Sequence, residues 1–191
     1  MAFLVVGLTL PACETLRLGA VATRAPAVAR GLIVRVEPEM AFTLQASVSS
    51  LTGATDEDAK KMVAPVLAAE LRNAIREAGF QVVESANVPY DVLATASGRI
   101  YPEAEPPYYS RVRLRLVDAL GENVDEISFD EQQAWKISSI NTQLACRKSQ
   151  HGMVVGCPAR LVALMLVEGM AKSSRLVALG QKLGPPAETE Q

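Results

Sequence analysis

The sequence predicts an α/β (α+β) domain: a mixed or mostly antiparallel sheet of about four to five strands, with two long helices packed on one face. Three observations predict it. Residues 111–116, Arg-Val-Arg-Leu-Arg-Leu, alternate charged and apolar at period two, and a second alternating run follows a turn at Leu120-Gly121-Glu122. Between 56 and 78, Val63, Leu67, Leu71, Ala74, Ile75 and Ala78 recur at helical spacing. From Pro158 to about Gln181 a second run is apolar nearly all round in its early part, which suits a helix buried against a sheet.

GLIVRVEPEMAFTLQASVSS, residues 31–50, contains β-branched and alternating segments on either side of Pro38, which predicts one or two strands at about 32–37 and 42–49. Thr55 is a good N-cap, and Asp56, Glu57 and Asp58 suit the positive end of the helix that follows. In that helix Glu70, Arg72, Asn73, Arg76 and Glu77 are expected on the solvent side; Pro65 should bend it or mark a restart, and Gly79 should end it. QVVE at 81–84 and DVLATASGRIY at 91–101 predict strands. The small Ala, Ser and Gly side chains of the second expect close packing over one face.

For the hairpin, one register satisfies both faces. Leu114 opposite Ile127 and Val112 opposite Phe129 match the apolar sides. The same alignment sets Arg115 opposite Glu126, Arg113 opposite Ser128 and Arg111 opposite Asp130. The second helix should start with Pro158 at its first position.

Composition narrows the function classes. Of 191 residues 49% are apolar and 21% charged, which is ordinary globular composition with room for one core. A net charge of -2 with 5% aromatic residues argues against a nucleic-acid partner. With one histidine, and without a nucleophile elbow, a phosphate loop or a paired metal motif, catalysis has no obvious residues to use. The expectation is a non-enzymatic protein without cofactor. Glu103 and Glu105 beside Tyr108 and Tyr109 could in principle serve as catalytic carboxylates, but YPEAEPPYYS reads first as a proline-rich loop between strands.

The chain begins MAFLVVGLTLPACE, an apolar stretch too short to span a bilayer and shaped like the core of a secretory signal. Its end, Leu10-Pro11-Ala12-Cys13, resembles the lipobox of bacterial lipoproteins. That resemblance implies a signal peptide at 1–12 and Cys13 as an acylated first mature residue, with Glu14 favouring the outer membrane. The competing reading of FLVVGLTL is a buried strand. Residues 13–30 then form the lipidated N-terminus and a tether, 31–183 the single α/β domain, and 184–191 a disordered tail.

In an oxidising compartment Cys146 and Cys157 are an even pair, and a disulfide between them is the expected state. Closing so short a loop would contribute about 2–3 kcal/mol. His151 between them makes a Cys-x4-His-x5-Cys pattern, but no fourth ligand is evident, so no metal site is expected.

A long helix ending EAGFQVVES, then YDVLATASGRIY, then VRLRLVDALGENVDE, resembles a recurring bacterial envelope domain. It looks like the α/β domain shared by CsgG-type curli-secretion lipoproteins, LpoB-type activators of peptidoglycan synthases and the N-terminal domain of TolB. Gly79, Phe80, Glu84, Gly98, Ile100, Leu114, Leu116, Val117, Asp118, Gly121 and Glu122 carry the resemblance, over roughly 56–131. LptE-type lipoproteins of lipopolysaccharide transport share the order of elements and are the rival. The resemblance implies an adapter on the periplasmic face of the outer membrane, held there by its lipid. Its partner would be an envelope protein complex such as a peptidoglycan synthase, a secretion machine or an assembly machine; the rival implies a lipopolysaccharide transport accessory. Tyr101, Tyr108, Tyr109 and Arg147 are the candidate partner-binding residues, since tyrosine and arginine are favoured interface anchors.

Overall fold

In the computed structural model the described residues are 22–37, 40–44, 56–85, 87–101, 108–130 and 157–184. The hairpin organises them. Strand β5 (Tyr108–Asp118) pairs antiparallel with β6 (Asn123–Asp130) in the predicted register, from Arg111↔Asp130 through Leu114↔Ile127 to Arg115↔Glu126. Asp118 closes the turn: its Oδ1 accepts from the backbone N–H of Leu120 and of Glu122, each at 2.9 Å. Gly121 supplies the left-handed backbone (φ 83°) the turn requires.

Four more strands complete a mixed six-stranded sheet, of which five follow the order β3-β1-β4-β5-β6. They are β1 (Ile33–Val36), β2 (Ala41–Leu44), β3 (Gln81–Val83) and β4 (Val92–Tyr101). β1 runs parallel to both β3 and β4, while β4 and β5 are antiparallel. β2 also pairs with β4, parallel, further along the edge that β1 occupies. The run on either side of Pro38 is therefore one interrupted edge, which raises the strand number above the four to five expected.

Helix α2 (Asp56–Glu77) lies between β2 and β3 in the chain and continues through Pro65; the short α1 (Ala27–Arg30) precedes β1. α2 ends as predicted at Gly79 (φ 96°): Phe80 N–H donates to the Ile75 carbonyl and Gly79 N–H to the Arg76 carbonyl, the paired bonds of a Schellman cap. The predicted stripe is the buried one, from Val63 through Leu67, Leu71, Ala74 and Ile75 to Ala78.

The expected single helix from Pro158 to Gln181 is two. α3 spans Cys157–Lys172 and α4 Ser174–Leu183. Ser173 makes the break: its hydroxyl accepts from Leu176 N–H as the α4 N-cap and donates to Asp125 Oδ2 at 2.5 Å, tying the corner to β6.

The helices clad one face of the sheet. Val34, Val36, Ala94, Ala96, Val112, Leu114, Leu116 and Phe129 point to that face and are buried with Leu67, Leu71, Leu166 and Met170. As expected, the small side chains of β4 lie under this packing. α3 sits so close to β6 that a Cβ on Gly169 would fall 2.5 Å from Ile127 Cγ2.

Two expectations are corrected by burial. Residues 22–30, assigned to a tether, belong to the folded domain: Ala22, Ala25 and Ala29 are in the core, and Ala25 N–H donates to the Ala78 carbonyl at 2.8 Å. Glu70, expected on the solvent face, is fully buried. Glu70 Oε2 lies 3.9 Å from Nη1 of Arg160, itself buried, whose Nη2 is 2.6 Å from Glu77 Oε2. Glu77 Oε2 also accepts from Ala22 N–H at 3.2 Å, so one charge cluster joins α2, α3 and the N-terminal segment.

Candidate interaction surface

Alternation along the strands sends every second residue to the face opposite the helices. On β5 these include Arg111, Arg113 and Arg115, all exposed, followed by the half-buried Val117. The register sets Arg99, Ser97 and Thr95 of β4 beside them on one side and Asp130, Ser128 and Glu126 of β6 on the other. Arg99 is thus the Cα partner of Arg111, an alignment of like charges that is unfavourable across two strands. Sequence reasoning missed it, because the hairpin alone does not say which strand flanks β5 on its other side.

The carboxylates of β6 neutralise this face only in part. Arg113 Nη1 lies 3.8 Å from Glu126 Oε1, diagonal to the Arg115↔Glu126 register pair, with the two side chains 67% and 48% exposed. Such an open pair contributes about 0–1 kcal/mol. Among the described residues, Arg111 and Arg115 have no carboxylate partner. Every basic residue in this patch is arginine, whose planar fork grips carboxylates and phosphates in two-point contacts.

Toward β1 the same face is partly covered. The Arg35 guanidinium stacks on the Tyr90 ring, 4.1 Å from its centroid, so the segment between β3 and β4 passes over β1. Arg76 pairs with Glu84 at the start of that segment. The hydrogen bond from Arg76, then its charge and that of Arg72, hold the exposed Glu84 carboxyl below its ordinary value of 4.5.

The residues singled out from the sequence lie at the end of the sheet, at the start of α3 or outside the described residues. Cys13, Cys146 and Arg147 are outside the described residues, as are His151, Glu103 and Glu105. Cys157 is the first residue of α3, one position before the expected start at Pro158. Tyr101 ends β4, within the strand predicted over 91–101, while Tyr108 and Tyr109, read first as part of a proline-rich loop, are strand residues: Tyr108 opens β5 and is the Cα partner of Tyr101, with Tyr109 opposite Ile100. Strand pairing takes them because aromatic side chains suit the pleated surface, and only 102–107 join the two strands. The structure thus brings the tyrosines to the end of the sheet next to the Arg99–Arg111 pair.

Among the described residues no group of three or more His, Cys, Asp or Glu is placed to hold a metal ion. No helix among them is long and apolar enough to cross a membrane. No protein-family model, curated protein or solved structure matches this chain.

Proposed function

We propose that the chain is a lipid-anchored periplasmic adapter of the outer membrane, a non-enzymatic module that binds another envelope protein. Its lipid would be carried on Cys13, at the end of the Leu10-Pro11-Ala12-Cys13 motif. The observation that carries the binding role is the asymmetry of the sheet: helices clad one face, while the other presents Arg99, Arg111, Arg113 and Arg115 to solvent. Clustered exposed arginine on a face whose strands end in tyrosine positions supplies the residue types that anchor protein interfaces.

Two measurements test this. Mass spectrometry of the mature protein from native membranes is expected to find an acylated Cys13 at the N-terminus; an unmodified Met1 there would refute the anchoring. Affinity capture from solubilised envelopes is expected to recover a synthase, secretion or assembly complex, with recovery lost in an Arg111→Gln/Arg115→Gln variant. Capture of a lipopolysaccharide-transport barrel instead would favour the transport-accessory reading.

A further inference from the structure

We infer that the open face of β4, β5 and β6 receives an extended acidic segment of a partner protein, lying along β5 with carboxylates at alternate positions. The inference rests on the adapter reading and names the chemistry of the partner. Arg111, Arg113 and Arg115 follow one another at every second residue of the stretch of β5 from Arg111 to Leu116, whose register is unbroken. Their Cα spacing is therefore about 6.8 Å, twice the strand rise of 3.4 Å. An extended chain with Glu or Asp at every second residue repeats at the same interval, so each carboxylate meets one guanidinium.

The flanking positions suit such a ligand. Thr95 and Ser97 on one side and Ser128 on the other are short and hydroxyl-bearing; Glu126 and Asp130 share the β6 side, and the open Arg113–Glu126 pair is the contact the ligand's carboxylate would replace. Arg99, the Cα partner of Arg111, adds a further arginine at one end of the row. The whole chain carries a net charge of -2, so this face is positive against an acidic background and orients an approaching anion.

A lipid surface fits less well. The exposed large apolar residues among those described are Val28, Val88, Leu120 and Leu183, and none lies in the arginine rows. Membrane-surface binding sites add apolar anchors to their cations.

The test uses the full chain and a fluorescein-labelled peptide of alternating glutamate and threonine. A peptide of the same composition with its glutamates in one block serves as control. Fluorescence anisotropy is expected to show tighter binding of the alternating peptide, weakened about tenfold or more by Arg111→Gln/Arg115→Gln, as the loss of close charge contacts predicts. An Arg111→Glu/Arg115→Glu variant is expected to bind an alternating lysine–threonine peptide instead, which guards against a trivial folding defect. Equal binding of the two glutamate peptides, or affinity indifferent to both double variants, would sink the inference. So would arginine-dependent binding of phosphatidylglycerol vesicles without peptide binding, or self-association through this face. These outcomes leave the state of Cys13 and the envelope capture untouched, so the two readings fail separately.

Discussion

Glu84 and Gly98 show how single residues report on their surroundings. Because Arg76 and Arg72 depress the Glu84 carboxyl in the folded state, its contribution is fully present above the ordinary carboxylate value of 4.5 and is lost as the pH falls through the lower folded value. Glu84→Gln is therefore expected to lower the thermal midpoint slightly at neutral pH, the gap to the wild type closing in acid; a gap constant with pH would contradict the pairing. Gly98 is constrained by space. A Cβ there would lie 2.1 Å from the Arg111 carbonyl oxygen and 3.1 Å from Val112 Cα, beside the irregularity between Arg99 and Ile100. Gly98→Ala should cost about 1–3 kcal/mol in urea unfolding, because backbone rather than a flexible side chain must move.

At the scale of elements, two polar contacts decide how the helices dock. Arg160 is the sole charged residue between Cys157 and Val167, and it is buried against Glu70 and Glu77 of α2. Removing one partner of a buried pair leaves an uncompensated charge, so Arg160→Met alone should cost about 3–5 kcal/mol. Replacing Glu70 by leucine in the same chain should recover part of that loss, read as a double-mutant cycle. The corner between α3 and α4 depends on Ser173, which caps α4 and bonds Asp125. Ser173→Ala is expected to lower stability by about 1–2 kcal/mol and to raise amide exchange in α4 before α3.

For the whole molecule, the folded unit extends further toward the N-terminus than the composition of residues 13–30 indicates. Ala22, Ala25 and Ala29 are buried, α1 packs against α4, and a Cβ on Gly180 would fall 2.3 Å from the Val28 carbonyl oxygen. A chain beginning at residue 31 should therefore be about 2 kcal/mol less stable than one beginning at residue 22, from three lost alanine burials alone. Equal unfolding midpoints for the two truncations would restore the tether. The same architecture sets the interaction surface, since one clad face and one open face follow from helices gathered on a single side.

What the sequence determined by itself is whatever local periodicity encodes. Period two with matching partners set the β5–β6 register residue by residue. Helical spacing picked out the α2 stripe, and Gly79 marked its end because only a left-handed cap closes that helix cheaply. What tertiary structure alone decided is which neighbours those periodic faces meet. Glu70 sits three residues after Leu67 and four before Ala74, inside the apolar stripe, yet nothing local reveals that Arg160 waits across the interface. Arg99 comes to face Arg111 only because β4, not another strand, flanks β5. Pairings between residues far apart in the chain have no signature in either partner's surroundings, so charge clusters and open faces emerge only when the layers assemble.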